Sequence, residues 1–268
     1  MIDKQMIPKI IHYVWFGRGA KSELFKKCYA SWVKYMPGYK IIEWNEDNFD
    51  INIVPYVKQS YEKKKYAFAS DYARFWILYH YGGLYLDTDV ELIRPLDDII
   101  DRGNFMGCEQ SFAINPGIGM AVNPGLDIFK KILDHYNQLS FDGTNGIFMP
   151  KTIVEYTTEI FKSSGYVESN EIQEVAGIWV YPPDYFCPYS IESMKMRITV
   201  NTHSIHWYDA SWYSNNPIIK QIQLWLCRFK IKLHKIMDDM FGYGTYNKLK
   251  NMIRLRKTNK INKKNVEE

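Results

Sequence analysis

Residues 82–90 read Gly82-Gly83-Leu84-Tyr85-Leu86-Asp87-Thr88-Asp89-Val90. The glycine pair ends the helix that precedes it, because glycine enters left-handed backbone conformations at no steric cost. The apolar residues that follow predict a strand from Leu84 to Leu92, interrupted by carboxylates. On an extended backbone, side chains two residues apart share a side, which places Asp87 and Asp89 together. Two carboxylates that close repel unless a cation lies beside them, and a hard divalent ion with oxygen ligands meets that need. Such an ion keeps positions open for phosphate oxygens. On a diphosphate leaving group it acts as a Lewis acid. An EF-hand is excluded, because its obligatory glycine would fall at Leu92. Asp-x-Asp by itself also describes a solvated strand end. Its position, after an apolar strand in an α/β pattern, is where ligands gather in open sheets.

Upstream, the segment from Pro55 to Tyr81 is predicted helical, continuous or kinked, with Phe68, Tyr72, Phe75, Trp76 and Tyr79 at helical spacing. Asp71 and Arg74 fall one turn apart on it. They form either an ordinary ion pair or a pair that holds a sugar hydroxyl and a phosphate. Ile7 to Phe16 reads as a buried strand, Ser22 as the cap of a helix through Trp32, and Tyr39 to Trp44 as a second strand. Downstream, strands are predicted at Phe105–Cys108, Gly177–Tyr181 and Thr199–Trp207. Helices are predicted at Leu126–Leu139 and Thr152–Phe161, and a glycine-punctuated loop at Gly117 to Gly125. Strands alternating with helices imply a layered α/β domain.

Apolar residues make up 46% of the 268-residue chain, enough for a sizeable core. The net charge of +4 is too small to imply nucleic acid. Its distribution is uneven: from Pro217 onward 13 Lys and Arg face 4 Asp and Glu, so a mildly acidic body ends in a basic tail. This divides the chain into a body, 1–216, and a tail, 217–268. In the tail Ile222, Trp225, Leu226, Phe229, Leu233, Ile236, Met237 and Met240 trace one face of a helix, with cations mainly off that face. Such a helix either packs on the body or lies on an anionic membrane surface. The four cysteines, Cys28, Cys108, Cys187 and Cys227, are widely spaced and indicate neither a zinc site nor a disulfide framework. No signal peptide or membrane span is visible, and the expected location is the cytoplasm.

Taken together, Ser70-Asp71-xx-Arg74 and Leu78-Tyr79-xx-Gly82-Gly83-Leu84-Tyr85-Leu86-Asp87-Thr88-Asp89 closely resemble the sugar-binding region that carries the DXD motif in a family of glycosyltransferases. That family includes yeast initiating mannosyltransferases, bacterial capsular-polysaccharide transferases and the glucosylating domains of large clostridial toxins. Ile7-Pro8-Lys9-Ile10-Ile11-His12-xx-Trp15, Ser31-Trp32, Pro37-Gly38-Tyr39 and His206-Trp207-xxx-Ser211-Trp212 agree with it. Gly143-Thr144-Asn145-Gly146 departs from it where many relatives have Gly-Pro.

The resemblance implies a GT-A-like, Rossmann-type mixed sheet flanked by helices, with the helical basic tail appended. It also implies a nucleotide-sugar donor, expected to be UDP-linked, manganese or magnesium, and retention of anomeric configuration. Residue by residue it implies that Trp15 stacks on the nucleobase, and that Asp71 and Arg74 hold the transferred sugar. Tyr85 and Asp87 would contact ribose or sugar, with Asp87 also a candidate beside Asp89 for the metal. His206 would complete the metal site, with His203 the alternative imidazole, and Ser211 and Trp212 would touch the diphosphate. The acceptor expected is a glycan or lipid-linked saccharide in surface-polysaccharide synthesis.

Two other readings compete. Asp-x-Asp-x-Val after an apolar strand also suits a haloacid-dehalogenase-type phosphohydrolase, in which Asp87 would be the nucleophile. A non-catalytic carbohydrate-binding or membrane-tethering protein would keep the fold and lose the chemistry.

Overall fold

The structure, a computed structural model, describes residues 6–141, 151–190 and 195–208 and, singly, Phe229, Ile236 and Met240. Contacts group the chain into one unit, Met1–Ser190 with Met194–Trp212, and a second, Ile191–Ser193 with Tyr213–Glu268. All the elements below belong to the first.

The chain opens with β1 (Ile10–Val14), α1 (Glu23–Tyr35) and β2 (Lys40–Trp44). Ser22 caps α1, accepting the backbone N–H of Phe25. The predicted helix from Pro55 to Tyr81 is two helices, α2 (Pro55–Glu62) and α3 (Tyr66–Tyr81). They part where Lys64 takes φ +57°, a left-handed residue that a helix cannot continue through. Next come β3 (Gly83–Tyr85), β4 (Val90–Leu92), α4 (Asp97–Arg102), β5 (Phe105–Gly107), β6 (Met120–Val122) and α5 (Asp127–Asn137). They are followed by α6 (Ile153–Ser163), β7 (Gln173–Val175), β8 (Ile178–Tyr181), α7 (Pro183–Phe186), β9 (Tyr189–Ser190), β10 (Lys195–Met196) and β11 (Ser204–His206). Thr152 and Glu155 close a reciprocal capping box on α6. No described helix is long and apolar enough to cross a membrane.

Seven strands form one mixed sheet in the order β2-β1-β3-β6-β5-β8-β7. β1 runs parallel to β2 and β3, β5 parallel to β8, and β6 antiparallel to both β3 and β5. The carboxyl ends of β1, β2, β3, β5 and β8 therefore share one edge, with the start of β6 beside them. One apolar cluster covers a face of this sheet with α2, α3, α5 and α6, and another joins α1 to β4 and α7. A mixed sheet flanked by helices is the GT-A-like class expected.

The carboxylate strand differs from expectation. β3 and β4 belong to different sheets, since β4 pairs antiparallel with β11 instead. Between them Leu86 to Asp89 leaves the extended conformation, and Val90 N–H donates back to Asp87 O at 3.0 Å, a turn. Asp87 and Asp89 consequently do not project side by side from one strand. The strand expected over Thr199–Trp207 forms only at Ser204–His206, and the loop expected at Gly117 to Gly125 contains β6.

Two glycines make this geometry possible. Gly83 has φ +97°, and a Cβ there would sit 2.7 Å from Ile10 O. At Gly117 a Cβ would lie within 1.9 Å of Asp87 Oδ2. The first lets β3 enter beside β1. The second lets the loop before β6 close against the Asp87 carboxylate.

Candidate active site

Helix α3 and the β3 end meet in a buried charge network. Arg74 Nη2 lies 3.2 Å from Asp71 Oδ1 and 3.2 Å from Asp87 Oδ1, and Nη1 donates to Asp87 Oδ2 at 3.4 Å. The guanidinium thus forks onto Asp87 with both nitrogens, a geometry open to arginine but not to lysine. Tyr85 OH donates to Asp87 Oδ1 at 3.1 Å, and the Tyr85 ring lies under the guanidinium at 5.2 Å. Burial, offset in part by Arg74 and reinforced by Asp87, pushes Asp71 up to about 7. For Arg74 burial opposes the charge, but Asp87, Tyr85 and Asp71 together raise its affinity for the proton. Asp71 and Arg74 are therefore more than a surface ion pair. They form one network with Asp87 and Tyr85.

Asp89 faces the other way. Its Oδ1 is 3.4 Å from Nε2 of His206, delivered by β11 opposite Val90, and Trp207 N–H donates to Asp89 O at 3.0 Å. Burial lowers the basicity of His206, yet the Asp89 charge outweighs it and lifts the imidazole to about 10. His206 Nδ1 is buried without a hydrogen-bond partner. His203 is engaged elsewhere: Nδ1 meets Asn201 O at 2.6 Å and Nε2 meets Asp98 at 3.2 Å. The imidazole beside the second acid is that of His206. Among the described residues no three His, Cys, Asp or Glu side chains converge as a metal cage.

Trp15, just past β1, is half-buried. Its Nε1 donates to Gly19 O at 3.0 Å, and its ring lies 5.2 Å from Phe25 and 4.8 Å from Lys21 Nζ. It stands at the same sheet edge as Asp87, without direct contact with the Arg74 network among the described residues. Ser211 and Trp212 lie outside the described residues, as does the segment Gly143-Thr144-Asn145-Gly146. Two further sequence features have structural roles at the site. Trp32 Nε1 donates to Val90 O, and Ser31 Oγ accepts from Leu92 N–H, so α1 braces β4. His12 Nε2–H donates to Gly82 O at 3.0 Å while Nδ1 accepts from Trp44 Nε1 at 3.0 Å, pinning the turn that launches β3.

One part of the site escaped the sequence reading. Glu109, just past β5, accepts from Asn115 Nδ2 at 3.1 Å and from Ser111 Oγ at 3.1 Å. Asn115 Oδ1 accepts from Gly117 N–H at 2.8 Å, and Gly117 O accepts from Asp87 N–H at 2.9 Å. This relay holds the Gly117 loop against Asp87. Burial raises Glu109 above the usual carboxylate range, against the pull of Asn115, Ser111 and His206. The available signal was an acid directly after a predicted strand, the position that marked Asp87.

Comparisons with known proteins agree with this geometry. A family described as "Glycosyltransferase sugar-binding region containing DXD motif" matches residues 22–106, which include Asp71, Arg74, Asp87 and Asp89. An uncharacterized glycosyltransferase of Acanthamoeba polyphaga mimivirus is 31% identical over 205 residues, covering 69% of this chain and 78% of that protein. Inositol phosphoceramide mannosyltransferase 3 of Schizosaccharomyces pombe is 33% identical over 187 residues, 67% of this chain. The match spans about half, 51%, of that mannosyltransferase's length. Among solved structures, a glycosyltransferase involved in the glycosylation of the major capsid of PBCV-1 has a TM-score of 0.45 at 15% identity, over 76% of this chain and 95% of that one. The phosphohydrolase and non-catalytic readings are set aside: this chain belongs to the family of glycosyltransferases whose sugar-binding region contains the DXD motif.

Proposed function

We propose that this chain moves a hexose from a nucleoside-diphosphate donor to a glycan or lipid-linked acceptor, with a divalent cation and with retention of anomeric configuration. One observation carries the reading: Asp71, Arg74, Tyr85 and Asp87 form a single network at the carboxyl end of β3, where Asp89 meets His206. Asp71 accepts from sugar hydroxyls. Arg74 supplies fixed positive charge where the diphosphate departs. Tyr85 and Asp87 contact ribose or sugar, Trp15 stacks on the base, and Ser211 and Trp212 touch the diphosphate.

Manganese or magnesium fits the Asp89–His206 locus. The carboxylate and imidazole are the donor types such ions accept. The raised basicity of His206 beside Asp89 marks a place where positive charge is held. Bound there, the ion supplies Lewis-acid neutralisation of the leaving diphosphate. Two protein groups do not fill its coordination, which leaves positions for diphosphate oxygens and water.

The sugar follows less directly. A UDP-linked hexose is the first candidate, and mannose the second, favoured by relatives named as inositol phosphoceramide mannosyltransferases. Those names also favour a lipid-linked acceptor. A role in surface-polysaccharide assembly, at the cytoplasmic face of a membrane touched by the basic tail, completes the proposal.

The test is a thermal-shift panel of UDP-glucose, UDP-galactose and GDP-mannose with and without manganese. At about a hundred times its dissociation constant a true donor raises the melting temperature by roughly 5–10 °C. Asp89→Asn keeps the shape of the side chain and removes its charge. It is expected to melt within a degree or two of wild type, to lose the manganese-dependent part of the shift, and to lose transfer. Wild-type turnover by Asp89→Asn at micromolar manganese would remove the cation from the mechanism.

A further inference from the structure

Tyr56 in α2 and Tyr136 in α5 are sealed in the core, 1% and 0% exposed. Their rings meet edge to face with centroids 5.0 Å apart. The Tyr136 ring also lies 6.2 Å from that of Tyr72, the residue after Asp71. Neither hydroxyl has a hydrogen-bond partner. Burying a phenol this way is costly, and phenylalanine would fill nearly the same volume without stranding an oxygen. The two stranded hydroxyls share a neighbourhood, since each phenol feels the charges of both Asp71 and Arg74. Burial first, and then the Asp71 carboxylate, hold both phenols above their ordinary range. They stay neutral and able both to donate and to accept.

The exposures along the network give this neighbourhood a direction. The Asp87 side chain is 27% exposed, that of Asp71 11% and that of Arg74 5%. A donor entering from Asp87 keeps its diphosphate toward solvent and the cation, and drives its sugar ring inward past Arg74 to Asp71. The groups waiting at that inner end are the two tyrosine hydroxyls.

We propose that the hydroxyls of Tyr56 and Tyr136 form the inner wall of the donor-sugar pocket and select the transferred hexose by hydrogen-bonding ring hydroxyls remote from the diphosphate. The assignment rests on the donor reading above. It accounts for two buried polar groups that the empty protein leaves unsatisfied. A site built to hydrogen-bond a hydroxyl rejects a sugar that lacks one there, because the wall oxygens are then stranded again.

Tyr56→Phe and Tyr136→Phe test it, each by deleting one oxygen. Titration calorimetry with manganese compares UDP and GDP with UDP-glucose, UDP-galactose and GDP-mannose, and a melting curve accompanies each variant. Each variant is expected to melt at or above the wild-type temperature, since an unsatisfied hydroxyl has gone. It is expected to bind the free nucleotides within twofold of wild type and to lose about tenfold in affinity for the sugar that wild type prefers, the worth of one ligand hydrogen bond. Unchanged affinity for that sugar in both variants overturns the assignment and leaves the donor reading standing. A drop in melting temperature with equal losses for nucleotide and nucleotide sugar makes the tyrosines structural and also overturns it. If wild type binds none of the three sugars, the donor reading falls and the assignment with it.

Discussion

His12 uses both ring nitrogens in the neutral form, one donating to Gly82 O and one accepting from Trp44. Protonation would put a hydrogen where the Trp44 N–H already points. Burial, only partly offset by the Gly82 contact, lowers the imidazole from 6.5 to about 4. Between those values the unfolded chain takes up a proton that the folded chain refuses. Stability from this group is complete above about pH 6.5 and declines as pH falls toward 4, with a ceiling on the order of 3 kcal/mol. Urea midpoints should therefore fall between pH 7 and pH 4.5. His12→Gln should be less stable at pH 7, with a shallower decline. An equally steep decline in the variant would assign the acid sensitivity to other groups. The position thus acts on the site through the turn at Gly82, as structural support for β3.

At the scale of elements, the site depends on how closely the loop before β6 approaches β3. The Glu109–Asn115–Gly117 relay draws the loop in, and the missing side chain at Gly117 gives the Asp87 carboxylate its room. Gly117→Ala places a methyl against Asp87 Oδ2 and close to Arg74 Nη1. We expect a loss of about 1–3 kcal/mol in stability, the usual scale of overpacking, and a larger proportional loss of transfer, because Asp87 must move off Arg74. Gly38→Ala is the control: nothing lies within 4 Å of its added Cβ, and activity should match wild type. Equal specific activity of Gly117→Ala and Gly38→Ala would show that Asp87 tolerates displacement.

Across the whole molecule, the tail is the part whose behaviour must be measured in solution. Its sequence alternates apolar and basic groups, and Phe229, Ile236 and Met240, three members of the anticipated apolar face, are helical and exposed. The rest of that helix lies outside the described residues. Protein lacking residues 217–268 should stay in the supernatant with anionic vesicles at low salt, where the full chain sediments, and should keep its donor-induced thermal shift. Each cation near such a surface contributes roughly 1 kcal/mol, so about 0.5 M salt should release the full chain. Failure of the full chain to sediment at low salt ends the membrane proposal.

The α/β class, the main helices and the carboxylate segment were legible because long helices have a period and glycine pairs punctuate. Three-residue strands such as β4, β6 and β11 have none, and their pairing is decided by partners far along the chain. For this reason Asp87 and Asp89 were expected side by side, whereas a turn sends them to Arg74 and to His206. Tyr56 and Tyr136 were indistinguishable from core aromatics, since a missing partner is visible only in three dimensions.

The pairing of β4 with β11 has a consequence for synthesis. An acid at position 89 meets its imidazole only when position 206 has been made and has travelled back to it. During translation the Asp71–Arg74–Asp87 network can assemble early, from segments close in sequence, while the Asp89 partner is still missing. A ribosome-bound chain arrested between these points would hold folded helices and a half-built pocket. It could not yet spend a cell's nucleotide sugar, because the second half of the site arrives only with the end of the catalytic unit.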